Sequence, residues 1–235
     1  MFGKPEREVW RLSMTAASIV VFLGPSLDLK TARSVLPDAD YRPPASRGDI
    51  EKAALENPDI ICLIDGVFFE QCSVGHREIL GALNKGIKIF GASSMGALRA
   101  SEMESFGMKG VGRVYALYKD GILESDDEVA IVCDPFSNHP LSEALVNIRA
   151  TLQKAECENI LTKAESEKLF QTAAGLYYPE RTYDFLIENS RENNAIKETS
   201  LHTFENWIQN GNAADIKKED AISVLRVVKE SAGER

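Results

Sequence analysis

Ser94 stands in Ala92-x-Ser94-x-Gly96, a close variant of the G-x-S-x-G turn that lifts a serine between a strand and a helix. In that setting the hydroxyl projects and the next backbone N–H, here of Met95, can bind an oxyanion. The apolar run Ile87–Phe90 before it and Ala97-Leu98-Arg99-Ala100 after it supply the strand and the helix. The bland alternative is a helix cap, in which Ser93 or Ser94 accepts a free N–H. His76, at the head of another helical stretch, has the side chain best suited to take a serine's proton near neutrality. A lone histidine in a helix is more often a structural or surface residue. Asp126-Asp127-Glu128 offers either ligands for a hard cation or a solvated acidic turn ahead of a strand at Val129–Val132.

Other chemistries are excluded by spacing. Gly91 and Gly96 are followed by Ala97-Leu98 rather than Lys-Ser/Thr, so the stretch is not a phosphate-binding P-loop. The four cysteines, at 62, 72, 133 and 157, form no CxxC pair, and no two histidines have ligand spacing. Neither a metal site nor a disulfide framework is expected, and no cofactor is implied. The net charge of −9 argues against nucleic acid and anionic membrane as partners. Lys4, Arg7 and Arg11 ahead of the apolar run Met14–Leu23 imitate a signal peptide. That run is too short to span a bilayer and has no small-x-small cleavage pattern, so a cytoplasmic protein is expected.

The elements that must position these residues follow from periodicity. Ser18–Leu23, Ile60–Ile64 and Ile87–Phe90 read as continuous apolar strands separated by helices near 29–36, 49–56 and 76–85. That alternation predicts an α/β fold with a mainly parallel sheet flanked by helices. Ligands in such folds sit at the carboxyl ends of the strands. Three of these ends carry Gly24-Pro25-Ser26, Asp65-Gly66 and Ser93-Ser94, which are expected to converge with His76 nearby. Asp40–Arg47, with Pro43-Pro44, reads as a turn-rich loop whose Arg42 and Arg47 either suit a carboxylate or protein tail or simply lie on the surface.

Beyond residue 137 the strand signals stop. Leu141, Leu145, Ile148 and Leu152 share one helical face, and Thr162-x-x-Glu165 is a capping box. Further helices are expected at 180–190, 201–210 and 217–229. The organisation is an extension at 1–17, an α/β core at 18–137 and a C-terminal all-helical domain or cap at 138–235, with no sign of chemistry in the last.

Several runs resemble TfuA-like proteins: Phe22-Leu23-Gly24-Pro25-Ser26, Tyr41-Arg42-Pro43-Pro44-Ala45 with Arg47-Gly48-Asp49, Ile64-Asp65-Gly66, His76-Arg77-Glu78-Ile79-Leu80, Gly91 to Ala100 and Gly110-Val111-Gly112. The resemblance implies a partner of a YcaO enzyme in peptide-backbone thioamidation. It further implies hydrolysis of the C-terminal thiocarboxylate of a ThiS-like sulfur carrier at a Ser–Lys site, or else a non-catalytic adaptor that enhances peptide binding by YcaO. Ser94 matches the serine. Arg77 occupies the place where the family's lysine is expected, and arginine does not act as a base near neutral pH. That leaves His76, Lys85, Lys88 or Lys109 as the base. Arg47, Arg77 and Arg99 are candidate anchors for the carrier, with Asp65 and the Met95 N–H in the substrate site.

Overall fold

A computed structural model describes residues 17–68, 72–134 and 139–233; the expected extension at 1–17 lies outside these residues except for Ala17. Five parallel strands form one sheet in the order β2-β1-β3-β4-β5. They are β1 (Ile19–Phe22), β2 (Asp40–Arg42), β3 (Ile60–Leu63), β4 (Lys88–Gly91) and β5 (Lys109–Gly110). Every residue of β1 and β3 is buried, which is why these strands read as unbroken apolar runs. The chain leaves β1 outward to β2 and then returns to β3 on the other side. The topological switch point therefore lies between β1 and β3, the place where doubly wound folds hold ligands.

Helices α1 (Leu29–Val35), α2 (Asp49–Leu55), α3 (His76–Asn84), α4 (Met95–Met103) and α5 (Arg113–Lys119) connect or follow the strands. Ile50, Ile79 and Met103 of α2, α3 and α4 pack on the sheet face that carries Val20, Ile61 and Ile89. The helical half comprises α6 (Leu145–Cys157), α7 (Lys163–Gly175), α8 (Tyr183–Glu192), α9 (Glu198–Trp207) and α10 (Ile216–Gly233). The capping box forms as expected: Thr162 Oγ1 accepts from Glu165 N at 3.3 Å, and Glu165 Oε2 accepts from Thr162 N at 2.9 Å.

Helices α6 to α9 share a core built on Ile148, Leu169, Leu186 and Phe204. Helix α10 leaves them and packs Ala221, Val224, Leu225 and Val228 against Val21, Cys62 and Phe90, on the sheet face it shares with α1. Three large apolar side chains buried there are worth about 1.5–3 kcal/mol each. The last helix thus docks on the sheet, and its first turn arrives at the carboxyl ends of the strands.

Three local expectations are corrected. Asp40–Arg42, read as loop, is the edge strand β2; its short, polar run lacks the apolar signature because its residues are exposed or only half-buried. Val129–Val132, read as a strand, is not one. Val129 and Ile131 pack against α5 and α6 instead of joining a ladder, and Leu141 N and Val132 O are bonded at 2.8 Å. Leu141, placed on the α6 face, precedes the helix and is exposed.

Candidate active site

Asp65 closes the switch point. Its Oδ2 accepts from Gly24 N (2.8 Å) and Ser26 N (3.2 Å), and its Oδ1 accepts from Ser26 Oγ (2.6 Å). The buried carboxylate is therefore spent on stapling the end of β1 to the end of β3. Gly24 is required by a close approach, since a Cβ there would lie 2.4 Å from Pro44 Cγ. Asp65 acts as an anchor for the turn that walls the site.

The serine turn is strained. Ser94 N donates to Ala92 O at 2.8 Å across Ser93, whose φ is +68°. A three-residue bond around a positive φ is the rarer γ-turn, and for a non-glycine residue it is costly. The strain falls on Ser93 and launches α4 sharply from β4. Ser93 Oγ is buried without a partner. Gly96 permits the launch: a Cβ there would sit 1.8 Å from Leu63 O, so α4 can rest directly on the β3 backbone. Ser94 takes the N-cap position of α4, but its side chain makes no capping bond. Its hydroxyl is free for other work. Among the described residues, Met95 N also makes no hydrogen bond, and it lies at the positive end of the helix.

The decisive neighbour comes from the far end of the chain. Ser94, Asp65 and Lys217 line one cavity of about 460 Å³, with Pro25 and Pro44 beside them. Lys217 is in the first turn of α10, only 3% exposed, and its Nζ donates to Val129 O at 2.7 Å. Burial pushes its pKa below the ordinary lysine value, while Asp65, Glu143, Asp215 and Cys133 pull the other way. An enclosed amine biased toward neutrality in the same cavity as an uncapped serine is a candidate base for it. Val67, Phe68, Ala130, Ile131 and Tyr178 give the cavity mainly apolar walls, with Cys133 among them.

The acidic run contributes to this wall and is tied into the helical half. Asp127 Oδ2 pairs with Arg181 Nη2 at 2.7 Å, and the fully buried Arg181 also donates to Ala173 O and Leu176 O. Glu128 pairs with Arg149 at 2.7 Å. No cluster of three potential metal ligands occurs among the described residues.

The other sequence candidates lie elsewhere. His76, Arg77 and Arg47 line a separate groove of about 610 Å³ between α2 and α3, to which Lys85 also contributes. His76 Nε2 is 2.8 Å from Glu102 Oε2, the oxygen that also accepts from Arg99 Nη1 at 2.6 Å. Arg99 Nε donates to Val74 O, so this arginine braces the loop before α3. Lys88 reaches Ser231 on the surface, and Lys109 lies over the Phe90 ring. None of these residues lines the Ser94 cavity.

Lys217 was missed because it sits in the half that carries no motif. A signal was present nonetheless. Lys217, Ala221, Val224 and Val228 recur at i, i+4, i+7 and i+11, which places the lysine on the buried face of α10. A lysine at a core position must be paired or functional.

In comparison with known proteins, the family model described as TfuA-like protein matches residues 65–182, half of the chain. No curated protein matches it. Among the described residues, no helix is long and apolar enough to cross a membrane.

Proposed function

Since the chain belongs to the TfuA-like family, which is associated with YcaO enzymes of peptide-backbone thioamidation, we propose that it hydrolyses the C-terminal thiocarboxylate of a ThiS-like sulfur carrier and releases sulfide. The observation that carries this reading is the buried, deprotonation-prone Lys217 in the same cavity as the uncapped Ser94.

Ser94 Oγ attacks the thiocarboxylate carbonyl carbon while Lys217 Nζ takes the hydroxyl proton. The Met95 N–H, at the start of α4, is placed to stabilise the oxyanion. Collapse of the tetrahedral intermediate breaks the C–S bond, and the proton returns from Lys217 to the departing sulfide. Water, deprotonated by the same amine, then resolves the serine ester to a carboxylate. The mainly apolar walls suit a narrow, uncharged stretch of chain, as a carrier's flexible glycine-rich end would provide.

Anchoring of the carrier or of YcaO falls to the separate groove, where exposed Arg77 and Lys85 offer positive charge on an otherwise acidic chain. This groove favours an adaptor role that coexists with catalysis. The test is intact-mass analysis of a thiocarboxylated carrier, with sulfide measured in parallel, for wild type and S94A. Loss of sulfide release from folded S94A is expected. Undiminished release would remove Ser94 as nucleophile and leave the adaptor role.

A further inference from the structure

A second, smaller cavity of about 70 Å³ adjoins the first, and Lys217 lines both. At about 30 Å³ per water it has space for one or two. Its walls are more polar than those of the Ser94 cavity, and they include Ser26, Ser142, Glu143, Asn147 and Asp215.

The buried Asn147 organises this chamber. Its Nδ2 donates to Glu143 Oε1 at 2.9 Å and to Asp215 Oδ1 at 3.0 Å, while its Oδ1 accepts from Lys217 N at 3.2 Å. One amide therefore fixes both carboxylates against the backbone of the lysine. Glu143 Oε1 takes a further bond from Ala144 N at 3.0 Å. Its Oε2 makes no hydrogen bond among the described residues and is free to carry a proton.

We propose that Glu143 is a positioning residue that shares one proton with Lys217 across this rear chamber, so that the lysine meets Ser94 as a free amine. In the resting state the one proton is divided between Glu143 Oε2 and Lys217 Nζ, and whenever Glu143 holds it the amine keeps its lone pair. The Ser94 proton then has an acceptor during attack, and it leaves again with the departing sulfide.

The groups facing the pair support Glu143 in this role over its neighbours. Around Lys217 stand Asp65 from the end of β3, Cys133 from the wall segment, Asp215 at the start of α10 and Glu143 before α6. Asp65 already accepts three hydrogen bonds. Asp215 is exposed and accepts from Lys218 N and Asn147. Glu143 is half-buried and has an oxygen to spare. Burial, reinforced by Asp215, raises its pKa, and burial lowers that of Lys217, so the two tend toward the neutral pair. Tyr183 from α8 faces Glu143 from the far side, its hydroxyl 2.7 Å from Thr151 Oγ1.

The inference rests on the proposed hydrolysis, but its test does not need turnover. In full-length protein labelled at the lysine ε-carbon and the glutamate carboxyl carbon, NMR titration follows Lys217, assigned by its loss in K217M, and Glu143, assigned in E143Q. A shared proton makes both signals move in the same two macroscopic steps. In E143Q the lysine should titrate in one step, below the upper step of wild type, and the pH profile of sulfide release should simplify in the same way. Separate, single-step titrations of the two carbons in wild type would overturn the pairing, even if E143Q does not fold. Coupled titrations without any carrier hydrolysis would uphold the pairing and sink the proposed reaction instead.

Discussion

The Ser94 cavity and the α2–α3 groove are both concave and both lined by residues that sequence inspection singles out, yet they are built in opposite ways. The groove draws its charged side chains from two stretches, Arg47–Glu51 and His76–Lys85, and its cationic ones, Arg47, Arg77 and Lys85, are exposed. The cavity joins residues from opposite ends of the chain, Pro25, Asp65, Ser94 and Lys217, and buries their functional groups. Exposed charges keep their solution chemistry and serve recognition, whereas enclosed ones change reactivity. Motifs along the chain marked residues of both sites and left out the lysine of the second. Chemistry requires the second.

The largest expected effects belong to the cavity. S94A and K217M should each lower single-turnover sulfide release by about 10³-fold or more, the scale of losing a nucleophile or its base. S94A should leave stability within about 1 kcal/mol, because no capping bond is lost. K217M replaces a buried amine with an apolar chain of similar reach and should remain folded. G96A should cost about 3 kcal/mol by driving a methyl group into Leu63 O, measured by urea unfolding. If G96A unfolds at the wild-type midpoint, α4 does not rest on β3 as described.

A smaller effect tests how Lys217 is delivered. Asp220, one turn along α10, accepts from Arg113 N and Val114 N at 2.8 Å each and so fixes α10 to the start of α5. Burial raises its pKa from 3.8 to about 6. The folded protein thus holds this proton more tightly than the unfolded chain. The resulting stability is complete below about pH 4 and is lost as pH rises through 6, by about 2–3 kcal/mol in total. Asp28, Asp49 and Glu165, whose pKa values are lowered, push the whole-protein curve the other way. The informative quantity is therefore the difference between wild type and D220N from urea midpoints at pH 4 to 7. That difference should fall across the window; a flat difference would place Asp220 outside the linkage.

The sheet was legible because β1, β3 and β4 are buried on both faces and so are written as apolar runs, and Asp65 and Ser94 were legible because they end such runs. Strand β2 was hidden by its half-exposed polar side chains, and Val129–Val132 imitated a strand because wall residues of a cavity are β-branched too. The proposed base was the harder case. His76 has the side chain usual for a serine's base, but no spacing rule reports that its ring faces Glu102 at the surface. Lys217 depends on α10 crossing back over the sheet, a tertiary fact that appears in the sequence only as one lysine on an apolar stripe.

The smallest predicted effects concern the groove, and they bear most directly on the comparison. An exposed charge contributes about 1 kcal/mol or less to an association. R77A should therefore raise the carrier or YcaO concentration needed for half-maximal sulfide release by about fivefold or less, and leave the saturating rate within about twofold. Added salt should erase much of the difference, since screening weakens exposed pairs first. H76A removes an exposed ring held by Glu102, whose carboxylate keeps Arg99, and should change neither quantity beyond about twofold. The assay is single-turnover sulfide release across carrier concentrations at low and physiological salt. Should H76A abolish the saturating rate while K217M retains it, the base lies in the groove, and the division between a recognising surface and a reacting cavity is wrong.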